Sequence, residues 1–125
     1  MSFVYDAGVL IAADRNVRAV WADHAARLQL GLVPMTTAPV VAQVSRSGRQ
    51  AQLRRLLRGC DVVAFSPVHA HRVGALLGAA RTSDIVDAHV VVVAGECRAA
   101  VLTTDHEDLV RLSEKLPSPV RILTI

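Results

Sequence analysis

The chain has 125 residues, which is enough for one domain with its own hydrophobic core and too few for two. Hydrophobic residues make up 52% of it, but no unbroken aliphatic stretch is longer than Val90–Ala94, and Met1–Phe3 begins no signal peptide. We therefore expect one soluble, cytoplasmic domain, residues 1–125, with no membrane association. The formal charge is +3, aromatic residues make up only 3%, and Cys60 and Cys97 form no metal-binding or redox motif, which argues against base stacking and against thiol chemistry.

Apolar runs rich in β-branched residues alternate along the chain with segments of helical spacing. The predicted strands are Phe3–Asp6, Val33–Thr36, Val62–Phe65, Ala100–Thr103 and Arg121–Thr124. The predicted helices begin after Asp6 and continue with Val17–Leu30, a segment starting near Pro39, a segment around Leu53–Leu57, Val68–Ala80, Asp84–Gly95 and His106–Leu116. This alternation predicts an α/β fold with a mostly parallel central sheet.

One segment, Ile85–Val93, has a valine content that also suits a strand. Ser83 and Asp84 before it and Gly95 after it are typical helix-capping residues. The sequence therefore favours a helix here.

Several aspartates follow or precede these elements at positions that converge in a parallel sheet. Asp6 and Asp105 each come at the end of a predicted strand, and Asp84 and Asp87 share one face in the first turn of a predicted helix. Strand ends and helix starts meet at the same crevice, so these carboxylates are expected to crowd together. Their repulsion is relieved by a divalent cation, and oxygen ligands favour Mg²⁺ or Mn²⁺ over zinc.

Helix capping is the alternative reading of the same residues. Asp84 with Asp87, and Asp105 with Asp108, have the spacing of an N-cap and a third-position acid. Taken singly, each aspartate suits a cap better than a ligand. Only their joint placement at one sheet edge points to a metal.

Basic residues concentrate in the first half of the chain. Residues 1–60 hold eight basic side chains against three acidic ones, and no acid occurs between His24 and Cys60. Such a run attracts a polyanion, and Arg46 and Arg49 are the predicted contacts to RNA phosphates. A solvated helix surface is the alternative.

Three segments together resemble the PIN domain, and more narrowly the VapC toxins of bacterial toxin–antitoxin pairs: Phe3–Leu10, Asp87–Val91 and Val101–Asp105. The resemblance implies a PIN-like α/β/α sandwich and a Mg²⁺- or Mn²⁺-dependent endoribonuclease. It also implies a homodimer that is inhibited by a cognate VapB-type antitoxin. By position, Asp6, Asp87 and Asp105 match the metal-binding catalytic acids.

Other positions of the resemblance carry supporting roles. Thr103 matches a small hydroxyl residue near the last acid, and Asp108 lies one helical turn beyond Asp105. Asp84 stands where Ser or Thr is frequent and is expected to add a fourth ligand. Gln43 stands where a Glu is usual, and an amide offers an oxygen without charge, so metal binding is expected to be weakened.

Two other functions fit the same sequence. One is a non-catalytic module that binds RNA or an antitoxin. Such a module would retain the arginine run, and Gln43 in place of the usual Glu would reflect the loss of hydrolysis. A phosphatase with Asp6 as covalent nucleophile is the other, but such enzymes usually carry a second Asp two residues on, where this chain has Gly8.

Overall fold

The computed structural model describes all residues, 1–125. Its five strands are β1 (Ser2–Tyr5), β2 (Met35–Thr37), β3 (Asp61–Val63), β4 (Ala99–Thr103) and β5 (Ile122–Thr124). Its seven helices are α1 (Ala7–Asp14), α2 (Arg18–Gln29), α3 (Ala38–Val44), α4 (Ala51–Arg58), α5 (Pro67–Ala80), α6 (Ile85–Cys97) and α7 (Glu107–Ser113). No helix is both long and apolar enough to span a membrane.

The five strands form one all-parallel sheet in the order β3-β2-β1-β4-β5. From β1 the chain moves outward to β2 and β3, and it then crosses back to β4 on the other side of β1. Strand order therefore reverses between β1 and β4. In open α/β sheets the crevice at such a switch point, beyond the carboxyl ends of the strands, is where ligands bind.

Helices cover both faces of the sheet. Because connections between parallel strands are right-handed, the strand order places α1 to α4, which lead from β1 to β3, on one face and α5 to α7, which lead from β3 to β5, on the other. Contacts among α5, α6 and α7, and between α1 and its neighbours α2, α3 and α4, agree with this division. The result is the three-layer α/β/α sandwich that the sequence predicts.

The central helix of the second layer is α6. Every residue from Ala88 to Ala94 is buried, and the helix contacts three strands as well as α3, α5 and α7. A helix that is apolar on all sides is stable only when it is surrounded, which explains the valines that also suited a strand. The prediction of a helix at this segment is confirmed.

Element boundaries differ from the sequence prediction by a few residues. The third strand ends at Val63 instead of Phe65, and Phe65 packs edge-to-face on the His89 ring, with centroids 4.9 Å apart. The last helix ends at Ser113 instead of Leu116. There the Ser113 hydroxyl donates to the Val120 carbonyl at 3.1 Å and accepts from the Val120 amide at 2.8 Å, which closes the turn into β5.

Candidate active site

Asp6 and Thr103 lie side by side at the switch point. Tyr5 and Leu102 are register partners in β1 and β4, so the next residue of each strand reaches the same edge. The Asp6 amide donates to the Leu102 carbonyl at 3.0 Å, and the Thr103 hydroxyl donates to Asp6 Oδ2 at 3.0 Å. Both side chains are buried.

The same hydroxyl connects Asp6 to the Asp105 backbone. Thr103 Oγ1 accepts a hydrogen bond from the Asp105 amide at 3.1 Å and lies 2.9 Å from the Asp105 carbonyl. A hydroxyl has one proton, so donation to Asp6 Oδ2 and donation to that carbonyl exclude each other. Thr103 thus fixes the backbone of the loop after β4 relative to Asp6.

Asp6 is a buried carboxylate with one unsatisfied oxygen. Its Oδ1 has no hydrogen-bond partner. Burial raises the pKa of Asp6 above its ordinary value, the Ala7 amide and the Thr103 hydroxyl lower it in part, and the charges of Asp84 and Asp105 raise it again. A buried acceptor without a donor is costly, and its explanations include stored strain, a catalytic role and a bound water or ion.

Asp84 and Asp87 begin α6 at the same edge. Asp84 Oδ1 accepts a hydrogen bond from the Asp87 amide at 3.0 Å, so Asp84 caps the helix. The Asp84 and Asp87 side chains are also close enough to share a hydrogen bond. Burial raises the pKa of Asp87 to about 7, and the negative charges of Asp84, Asp6 and Asp108 add to the rise.

Asp108 extends the acidic surface onto α7. A small pocket of about 110 Å³ is lined by Asp84, Asp87, Asp108 and the Arg111 side chain. Arg111 is 4.0 Å from Asp108, and both side chains are largely exposed. The pocket lies at the acidic edge and is open to solvent.

The acidic side chains can be compared with the requirements of a metal-binding site. As the side chains stand, no three acidic, histidine or cysteine residues form a group arranged to hold a metal ion. The donor chemistry fits a hard cation, because carboxylate oxygens are the ligands that Mg²⁺ and Mn²⁺ prefer and Asp6 Oδ1 has no hydrogen-bond partner. The assignment of Asp6, Asp84, Asp87 and Asp105 as metal ligands stays a prediction.

None of Gln43, Arg46 and Arg49 lines the acidic pocket. Gln43 and Arg46 line a separate pocket with Asp14 and the α1 residue Ile11, and the Gln43 side chain is exposed and makes no hydrogen bond. The Arg46 guanidinium donates to the Ser45 carbonyl at 2.9 Å. Arg49 is exposed.

The first turn of α1 approaches the loop after β4 very closely at Gly8. A Cβ built on Gly8 lies 2.0 Å from Thr104 Oγ1 and 3.0 Å from Thr104 Cβ. Only glycine permits this approach, which brings the start of α1, next to Asp6, against the loop that carries Asp105. Gly8 is therefore a structural requirement of the site that sequence spacing does not reveal.

A histidine cluster on the α5–α6 face is the largest polar group that the sequence analysis missed. His89 is fully buried, its Nε2 lies 2.8 Å from His69 Nδ1, and His69 Nε2 is 2.9 Å from a Glu96 carboxylate oxygen. Arg72 forms an ion pair with the same carboxylate. Burial lowers the pKa of His89 to about 4, and the His69 charge adds to the fall.

Three solved structures share this architecture. VapBC2 of Rickettsia felis, bound to a promoter DNA fragment, gives a TM-score of 0.69 at 13% identity and covers 100% of this chain and 99% of its own. FitAcB of Neisseria gonorrhoeae gives 0.64 at 14% identity, covering 97% and 96%. A toxin–antitoxin complex from Klebsiella pneumoniae gives 0.64 at 17% identity, covering 95% and 98%.

No protein-family model and no curated protein matches the chain. At identities this low the structural likeness establishes the fold, and it does so over essentially the whole chain. The protein has a PIN-like α/β/α fold, as the sequence predicts. More narrowly, that fold is shared with VapBC- and FitAB-type toxin–antitoxin structures.

Proposed function

We propose that this protein is a Mg²⁺- or Mn²⁺-dependent ribonuclease of the VapC type, which hydrolyses RNA phosphodiesters at the acidic edge of its sheet. The observation that carries the proposal is Asp6 Oδ1, a carboxylate oxygen buried without a partner at the β1–β4 switch point. The neighbouring charges of Asp84, Asp87 and Asp105 support a cation at this edge. The shared fold with toxin–antitoxin structures supports the nuclease class.

The chain's own residues have distinct tasks in this reaction. Asp6, Asp87 and Asp105 would hold the cation, which would supply an activated water and positive charge for the transition state. Thr103 is a positioning residue, since its hydroxyl fixes one Asp6 oxygen and leaves the other free. Asp84 orients the first turn of α6 through its hydrogen bond to the Asp87 amide.

We further propose an antitoxin of the VapB type as the physiological partner, because the chain shares its fold with proteins solved as toxin–antitoxin complexes. Its inhibitory segment would occupy the acidic edge and neutralise its charge. Pairing of two chains into a homodimer stays a prediction.

A second candidate function is a non-catalytic module that binds RNA or the antitoxin. Two observations favour it: Gln43 lacks the charge of the usual glutamate, and no three potential ligands are arranged to hold a metal ion as the side chains stand. The two functions differ in whether metal-dependent cleavage occurs.

Cleavage of a mixed transfer and ribosomal RNA substrate with Mn²⁺, and with a chelator instead, decides between them. Wild type is expected to cut only with Mn²⁺, and Asp6→Asn is expected to lose at least a hundredfold in rate while remaining folded. Asp61→Asn, a charge-matched change at an exposed residue at the opposite edge of the sheet, serves as control. Equal cleavage by Asp6→Asn and wild type contradicts the ribonuclease, and absence of cleavage in wild type favours the binding module.

A further inference from the structure

A basic groove adjoins the acidic pocket. It has a volume of about 490 Å³ and is lined by Ala79, Ala80, Arg81, Arg111, Glu114 and Lys115. Ala80 and Arg111 also line the pocket that contains Asp84 and Asp87. The two depressions therefore share a wall and form one continuous surface.

The cations of this groove are largely uncommitted. Arg81 and Lys115 are exposed and form no salt bridge and no side-chain hydrogen bond. Arg111 has only the long 4.0 Å contact to Asp108, with 69% of its side chain exposed. Glu114 is the only acid of the groove, and it pairs with none of the three.

The groove residues are held by the ends of two helices. Arg81 is the C-cap of α5 in a left-handed conformation, with φ of 56°, and its amide donates to the Leu77 carbonyl. Arg111 lies in the last turn of α7, and Lys115 follows that helix. Cations at helix C-termini also stabilise the helix dipole, which by itself explains their charge but not their convergence on one groove beside the acids.

The arginine segment predicted to contact RNA has a different setting. The Arg46 guanidinium donates hydrogen bonds to backbone carbonyls. Its pocket contains Asp14 and Gln43 but none of the acids at the sheet edge. That pocket shares no lining residue with the pocket of Asp84 and Asp87, unlike the groove of Arg81 and Lys115. Phosphates flanking a scissile bond must be held next to the acids, because positioning of the substrate is a large part of catalysis.

We propose that Arg81, Arg111 and Lys115 form the site that binds the RNA backbone phosphates on one side of the cleaved bond. This inference rests on the proposed ribonuclease function and specifies which surface the substrate follows. Arg111, which lines both depressions, contacts the phosphate nearest to the acids, and Arg81 and Lys115 contact the phosphates beyond it. Recognition here is of phosphate charge and carries no base sequence.

Binding of a fluorescein-labelled single-stranded RNA, measured by anisotropy with a chelator present, tests this site apart from catalysis. The test variant is Arg81→Gln/Lys115→Gln. The control is Arg98→Gln/Arg121→Gln, which removes the same charge at exposed residues near the amino ends of the strands, with no salt bridge at either position. Arg46→Gln/Arg49→Gln is the comparison with the predicted arginine segment.

The test variant is expected to bind at least several-fold more weakly than wild type and to lose about 1.4 from the slope of log Kd against log salt, at ~0.7 for each single-strand phosphate contact. The control is expected to bind nearly as wild type. Equal losses in test and control, no loss in the test variant, a larger loss in the Arg46/Arg49 variant, or no RNA binding by wild type each overturns the proposal. Thermal melting establishes that all variants fold. If wild type shows groove-dependent binding but no Mn²⁺-dependent cleavage, the groove stands and the ribonuclease fails.

Discussion

Thr103 donates a 3.0 Å hydrogen bond to Asp6 across 97 residues of chain, and both side chains are buried. This bond satisfies Oδ2 of Asp6 and leaves Oδ1 without a partner. The two strand ends therefore present a single unsatisfied carboxylate oxygen at the switch point of the sheet. That oxygen is the structural basis of the proposed cation site.

Replacing Thr103 by Val removes the hydroxyl and retains the shape of the side chain. Because that hydroxyl lowers the pKa of Asp6, we expect Thr103→Val to raise it further. The lost hydrogen bond is also expected to cost ~1–3 kcal/mol of unfolding free energy. NMR titration of the Asp6 carboxyl and urea unfolding measure the two effects. Thr103→Ser, which retains the hydroxyl, should leave the Asp6 pKa nearly unchanged, and an equal rise in both variants would contradict this role.

Asp87→Asn should stabilise the metal-free protein at high pH. The folded-state pKa of Asp87 is about 7, above the ordinary 3.8, so the native state binds this proton more tightly than the unfolded chain does. The contribution of Asp87 to stability therefore falls as pH rises from about 4 to about 7, and the full penalty is present at pH 8. We expect Asp87→Asn to raise the Tm by several degrees at pH 8, where ~1 kcal/mol corresponds to about 4 °C, and to lose this advantage near pH 4.

Asp61→Asn controls for removal of a negative charge elsewhere, since Asp61 is exposed and its carboxylate makes no hydrogen bond. Its Tm should follow that of wild type at every pH. A difference in Tm between Asp87→Asn and wild type that stays constant from pH 4 to pH 8 would contradict a raised pKa of Asp87.

Gly8→Ala is expected to destabilise the site through contact with Thr104. An added Cβ would lie 2.0 Å from the hydroxyl oxygen, so the start of α1 or the loop after β4 must move. We expect a loss of ~1–3 kcal/mol in unfolding free energy, typical of overpacking. Thr104→Gly removes the opposing side chain. In that background, Gly8→Ala should cost much less unfolding free energy than it does in wild type. Full additivity of the two changes in a double-mutant cycle would refute the contact.

His89→Leu should flatten the loss of stability in acid. The folded-state pKa of His89 is about 4, below the ordinary 6.5, so the unfolded chain takes up this proton first. The contribution of His89 is present above about pH 6.5 and is lost as pH falls toward 4. Unfolding free energy measured from pH 7 to pH 4 should therefore decline less in His89→Leu than in wild type. His71→Leu, at an exposed histidine without a polar contact, should retain the wild-type slope.

The sequence predicted the elements well because their signals are local. Alternating β-branched runs marked all five strands, and Ser83-Asp84 before the valines of α6 gave the helix its start. Asp84 shows why the sequence could not distinguish a helix cap from an acid of a metal site, because it caps α6 and also contributes charge at the acidic edge.

The features missed from the sequence depend on side chains from distant segments. His69 and His89 lie on different helices with no spacing that relates them, yet α5 and α6 bring them to 2.8 Å. The groove of Arg81 and Lys115 forms where the ends of α5 and α7 meet, and no spacing rule relates residues that are so far apart in the chain. The run of arginines was conspicuous in sequence, but its Arg46 lines a pocket with Gln43 that contains none of the acids at the sheet edge.

The most direct test of the central claim is calorimetric titration of wild type and Asp6→Asn with Mn²⁺ at pH 8. The account predicts saturable binding by wild type with a rise in Tm, and loss of both in Asp6→Asn while that variant melts as a folded protein. Equal Mn²⁺ binding by the two proteins, or no uptake by folded wild type, would contradict a cation held at Asp6.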